Sequence, residues 1–187
     1  GIAIVVHPKN DWAKTLTTAE LKKIWESGST IKNWKDVRAG FPDMKLTLFG
    51  PGPDSGTFDY FTKVINLKEK SSRTDFTASE SDDVLVKGVS AETGGLGYFG
   101  VAYYEANRSK LGLVGVDAGK GVVYPTNASI ASGTYAPLSR PLYVYVSLKA
   151  SSRPEVKAFA EYYLKNAGVL SAEVGYVSLG KSLYDAA

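Results

Sequence analysis

The apolar run Leu46-Thr47-Leu48-Phe49 passes through Gly50-Pro51-Gly52-Pro53-Asp54-Ser55 into a stretch where Phe58, Phe61, Val64 and Ile65 recur at helical spacing. This pattern predicts a strand, a tight turn and a helix beginning near Ser55, with Asp54 or Ser55 as its cap. A helix start leaves backbone N–H groups without intrahelical partners and carries the positive end of the dipole, which suits an anion. Ser55 and Thr57 add hydroxyls, and Gly56 has no side chain to obstruct a ligand. The same residues also fit an ordinary capped helix, and local chemistry alone does not separate the two readings.

The flanking chain alternates strand and helix patterns, which makes the class α/β. Ile2 to Val6 reads as a strand covered on both faces, ended by Pro8 and Asn10. Thr17 with Glu20 forms a capping box ahead of Leu21, Ile24 and Trp25, and Gly28 supplies the stop. Trp34 and Val37 mark a short packed segment. Ser79 with Asp82 predicts a further helix start, followed by Val84, Leu85 and Val89.

Glycine-rich Gly94 to Gly100 reads as a short strand feeding a helix around Ala102 to Asn107, and Leu113 to Val116 as another strand. Gly119 to Gly133 reads as a turn-rich excursion. Leu142-Tyr143-Val144-Tyr145-Val146 has strand character, and Pro154 opens a helix whose Val156, Phe159, Ala160 and Tyr163 are expected to face a core. Short helix and loop are expected from Ala172 to Tyr184.

At 187 residues the chain is long enough for a core without staples, and its 44% apolar and 22% charged content is that of a globular protein. The net charge of +3, with signs interspersed, gives no case for nucleic acid. Absence of cysteine excludes disulfides, thiol nucleophiles and thiolate metal sites, and any Ser-His-Asp arrangement or histidine metal site would have to use the single histidine, His7. No export signal opens the chain, which begins directly on a strand pattern, as though a preceding segment were missing.

Four ordered motifs, Asp54 to Phe61, Ser72-Arg73-Thr74-Asp75-Phe76 through Ser81-Asp82-Asp83, Gly94 to Tyr98, and Ala136 to Tyr143, together resemble the phosphate-binding protein of bacterial phosphate-specific ABC transporters. The likeness spans nearly the whole chain. It implies a type II periplasmic-binding-protein-like lobe, a mixed sheet flanked by helices, with two hinge strands. In that frame residues 1–7 form one hinge strand, 8–141 the ligand-binding lobe, and 142–187 the second hinge strand and a C-terminal helical part of an incomplete other lobe.

The family's usual first segment is absent, which fits a fragment or engineered lobe better than a split or proteolysed chain. Pro53 is a second departure, removing one N–H donor. The resemblance implies phosphate held by Ser55, Gly56, Thr57 and Arg73, the last as the formal charge whose planar fork can hold two oxygens. Asp54 is a supporting residue that would pair with Arg73 or cap the helix, and Asp82 would steady Arg73. No cofactor is implied.

Implied partners are a membrane permease and either the missing lobe or a second copy of the chain, in a periplasmic or extracellular setting. Three rival readings remain open. One is a serine hydrolase or phosphatase using Ser55 with His7, and another is an interaction or dimerising fragment. The third is a binder of a different tetrahedral oxyanion such as sulfate or molybdate.

Overall fold

The computed structural model describes residues 1–185, which form two compact units, Gly1–Ser139 and the chain from Arg140 onward. The first unit runs β1 (Ile2–Val6), β2 (Thr15–Thr17), α1 (Thr18–Trp25), β3 (Thr47–Gly50), α2 (Gly56–Val64), β4 (Thr77–Ala78), α3 (Asp82–Ala91), β5 (Gly95–Gly100), α4 (Val101–Ala106), β6 (Gly112–Asp117), β7 (Val122–Val123) and α5 (Asn127–Ala131). Its strands form one mixed sheet in the order β2-β6-β1-β5-β3-β4, with β7 on β6. β1 lies antiparallel between β5 and β6, whereas β3 is parallel to both of its neighbours.

β1 is buried along its whole length, as its unbroken apolar run requires. Its side chains divide by alternation: Ile2, Ile4 and Val6 join the core on one face, Ala3 and Val5 the core on the other. The first core takes Leu21, Ile24 and Trp25 from α1 and Phe61 from α2. Trp25 meets Phe61, Phe76 and Tyr98 edge to face, and Phe61 stacks on Tyr98 at 3.8 Å between ring centres. The second core holds Leu85, Val86 and Val89 of α3 against Phe49 and Phe99. Helices therefore cover both faces of the sheet.

The capping box before α1 is present: Thr17 Oγ1 accepts from Glu20 N–H at 3.1 Å, and Glu20 Oε2 accepts from Thr17 N–H at 2.8 Å. Gly28, at φ 80°, follows in the left-handed region where other residues are strained. The expected turn-rich excursion contains two regular elements, β7 and α5, the latter opened by a Thr126–Ser129 capping box.

Three local expectations are corrected. α3 begins at Asp82 rather than near Ser79, because Ser79 Oγ accepts the N–H of Ser81 at 3.1 Å and closes a local turn instead. Residues 142–146 join no strand among the described residues, and Leu142, Tyr143, Val144, Tyr145 and Val146 are all exposed. Alternating aromatic and β-branched residues supply strand propensity, but a strand also needs a neighbour to take its N–H and C=O groups.

The helix opened by Pro154 is real, α6 (Pro154–Glu173), followed by α7 (Lys181–Asp185), but Phe159 and Tyr163 on it are exposed. Val156 and Ala160 are only half-buried, so among the described residues of the second unit that face meets no core. The segment assigned to a hinge, 1–7, finds all its strand pairing inside the first unit's sheet.

Candidate functional site

The turn after β3 leaves the sheet at the end where several motifs meet. Ser55 is the N-cap of α2, its Oγ accepting the Thr57 N–H at 3.2 Å, while its own N–H closes the turn onto Gly52 C=O at 3.1 Å. Pro53, Asp54 and Gly56 are exposed, and Ser55 and Thr57 half-buried, so the helix start opens to solvent while Phe58 and Phe61 bury the opposite face.

β4 runs parallel to β3, pairing Phe49 with Thr77 and Gly50 with Ala78, and Ser79 N–H extends the ladder to Gly50 C=O. That register carries Glu80 to the turn, where its Oε1 accepts a long hydrogen bond, 3.4 Å, from Asp54 N–H. Tyr60 on α2 donates to the carbonyls of Pro137 and Ser139, at 2.7 and 3.1 Å. The motifs around Ser55, Glu80 and Pro137 thus converge.

Arg73 does not join them. It is buried, its Nε and Nη2 bind both oxygens of Asp75, and Nη1 donates to the carbonyls of Ile24 and Ile31. It lines a cavity of about 390 Å³ formed by Ser27–Thr30, Lys32 and Ser72–Asp75, none of whose residues belongs to the Gly50–Thr57 turn. The expected pairing of Asp54 with Arg73, and the support of Arg73 by Asp82, are both corrected, since Asp75 occupies the guanidinium fork. Two positions along the chain suffice for that pair, whereas Asp54 is tied to a different loop. Those two hydrogen bonds from Arg73 pull the Asp75 carboxyl down to about 2.

Asp82, at the start of α3, is raised by burial first, then by the neighbouring charges of Asp83 and Glu80. Asp54 is the residue before the cap, contributing its amide rather than a capping carboxylate. Glu80 went unnoticed in the sequence because acid ahead of a helix has an ordinary explanation in the dipole.

His7 lies far from Ser55. β3 and β5 run in parallel while β1 opposes them, with Val6 across from Leu96 and Leu96 across from Leu48. His7 therefore leaves toward the beginning of β3, while the turn leaves from its end, roughly 10 Å further along the strand direction. The imidazole Nδ1 accepts from Lys9 N–H at 3.1 Å. Among the described residues no group of three or more His, Asp or Glu side chains is placed to hold a metal ion.

Comparison with known proteins agrees with this architecture. Protein SphX of Synechocystis sp. is 46% identical over 188 residues, covering 99% of this chain and 56% of that protein. The phosphate-binding protein PstS of Staphylococcus haemolyticus is 36% identical, covering 98% and 57%. The chain thus spans little more than half the length of these relatives.

A solved structure described as a possible phosphate binding protein from Planctomyces limnophilus superposes with a TM-score of 0.89 at 46% identity, covering 100% of this chain and 66% of that one. An ABC-type phosphate transport receptor from Vibrio cholerae superposes at 0.74 with 25% identity, covering 95% and 68%. A family model described as a PBP superfamily domain matches residues 1–167. With that match over most of its length, and with a mixed sheet sandwiched by helices, the chain belongs to the PBP superfamily.

Proposed function

We propose that this chain binds inorganic phosphate at the start of α2, as part of the extracytoplasmic solute-binding component of an ABC import system. The observation that carries the reading is the solvent-open, Ser55-capped helix start at the convergence of the sequence motifs. Phosphate entering such a site loses water, and each oxygen needs a replacement donor. The Ser55 and Thr57 hydroxyls and the Gly56 and Thr57 amides are the donors, the Thr57 amide by exchanging Ser55 Oγ for a phosphate oxygen. Arg73 acts at a distance by shaping the loops from Ser27 to Lys32, its fork being engaged by Asp75. The relatives named for phosphate binding support the choice of ion.

This reading is of a non-catalytic role, and it is supported by His7 leaving the sheet toward the other end of β3 from Ser55, out of place to activate that hydroxyl. The setting is periplasmic or extracellular, and a permease is the membrane partner. Closure of two lobes about 1–7 and 142–146 belongs to the same reading. Calorimetric titration with phosphate, sulfate and molybdate tests it. Phosphate should bind, more weakly than to a full-length relative, and Ser55→Ala should weaken it by about tenfold, the equivalent of one charge-assisted hydrogen bond. Equal affinity in wild type and Ser55→Ala would remove the site from Ser55.

A second reading concerns association. Tyr143, Tyr145, Leu148, Phe159, Tyr162 and Val169 are exposed in the second unit, an apolar surface of the kind that marks interaction sites. Its occupant is the other lobe of a longer protein or a second copy of the chain. Light scattering with and without phosphate separates a ligand-independent dimer from a monomer.

A further inference from the structure

Immediately before the proposed oxyanion site, the turn already holds a carboxylate. Glu80 arrives from β4 and sets its Oε1 against the backbone of Gly52, so close that a β-carbon on Gly52 would collide with it. The same oxygen takes the N–H of Asp54 at 3.4 Å. Gly52 and Asp54 flank Pro53 in the turn, whose next two residues are Ser55 and Gly56. The bare glycine and the amide together make a seat for one negatively charged oxygen, and the side chain in it is tethered by the β3–β4 ladder, through Ser79 N–H to Gly50 C=O at 3.2 Å.

We propose that Glu80 is a built-in competitor of the bound oxyanion, a tethered anion that sets the affinity and the ionic-strength dependence of the site. The inference rests on the phosphate-binding reading above. An incoming dianion meets the Glu80 charge at the mouth of α2, with Asp54 and the half-buried Asp82 adding to the same field. Glu80 sits against Gly52 and Asp54, ahead of the donors named above, so it acts through its charge: it stays beside the anion at the cost of like-charge repulsion, or swings out of its seat to relieve it. Either route weakens binding of every multivalent oxyanion, and weakens it most in low salt, where the repulsion is least screened. Glu80 is exposed, so the swing into water needs no repacking of the core.

The test uses the full chain as wild type, Glu80→Gln and Ser55→Ala, followed by amide NMR during titration with sodium phosphate and, separately, sodium sulfate. Without ligand, the Asp54 amide resonance should move on Glu80→Gln more than the amides of the distal helix end at Lys63 and Val64. With ligand, Glu80→Gln should tighten both anions by about threefold to tenfold at low salt, the size of one partly screened charge, and by less at high salt.

An unmoved Asp54 amide overturns the inference, and so does weaker phosphate binding by Glu80→Gln. If Ser55→Ala weakens phosphate while Glu80→Gln fails to tighten it, the competitor falls and the binding site stands. If Ser55→Ala changes nothing, or no variant binds either anion, the binding reading falls and takes the competitor with it.

Discussion

Arg73 and Asp75 meet through a two-pronged ion pair, Nε to Oδ1 at 2.6 Å and Nη2 to Oδ2 at 2.8 Å, in which the arginine side chain is 4% exposed and the aspartate 50%. The third nitrogen, Nη1, donates at 3.0 Å to Ile24 C=O, in the last turn of α1, and at 2.7 Å to Ile31 C=O beyond it. One guanidinium thus ties α1, the following loop and the approach to β4 together. Arg73→Ala should lower stability by about 3 kcal/mol or more, since it strands buried carbonyls as well as a carboxylate. Arg73→Lys should recover only part of this, having no fork. Urea unfolding measures both. Phosphate affinity per folded molecule should change far less in Arg73→Lys than in Ser55→Ala, whereas a direct ligand would reverse that order.

Acid should act on the same pair. The Asp75 carboxyl is held at about 2 in the folded chain against an ordinary 3.8. A depressed carboxyl contributes stability that is present above the ordinary value and disappears as pH falls from there through about 2. With the carboxylate half exposed, solvent screening limits the contribution to under about 1 kcal/mol. Stability curves for wild type and Asp75→Asn should therefore run apart above pH 4 and converge between the two values. Curves that stay parallel down to pH 2 would show that the pair contributes no proton linkage.

Glu20 serves two masters, and its removal should cost more than its cap alone. It accepts from Thr17 N–H and takes both Arg38 Nε and Nη2 at 2.6 Å. Burial raises its carboxyl, but the bonds from Arg38 and then Thr17 outweigh that and leave it lowered. Thr17→Ala should cost about 1 kcal/mol, the usual value of a cap. Glu20→Ala should cost more, and the double substitution less than the sum, because the two share one network. Thermal or urea unfolding of the three variants reads the coupling directly.

The exposed side of α6 offers a fourth check. Phe159, Tyr162 and Val169 are 65%, 62% and 65% exposed, so replacing all three by Lys or Ser should leave helix content by circular dichroism unchanged. Any self-association of the chain seen by light scattering should fall. Association that persists unchanged would move the contact surface elsewhere.

Legibility in the sequence followed how local the determining interactions are. The Thr17–Glu20 box, the Ser55 cap, the two-sided burial of Ile2 to Val6 and the aromatic packing of Trp25 are written in neighbours or in composition. Leu142 to Val146 misled, because strand character is local while strand pairing is not. Arg73, which the resemblance implies as a phosphate ligand, is held by Asp75 and by the carbonyls of Ile24 and Ile31, contacts that the tertiary fold makes and no local pattern announces. The seating of Glu80 on Gly52 depends on the β3–β4 register, and no spacing in the chain encodes that register.

β1 is the keystone between two half-sheets, β5-β3-β4 on one flank and β2-β6 with β7 on the other. Its partners β5 and β6 lie roughly ninety to one hundred and ten residues further along the chain, so β1 stays unpaired until both have been made. Removing β1 would split the sheet down the middle rather than trim an edge. Protection of β1 from proteases therefore reports on completion of the first unit's sheet.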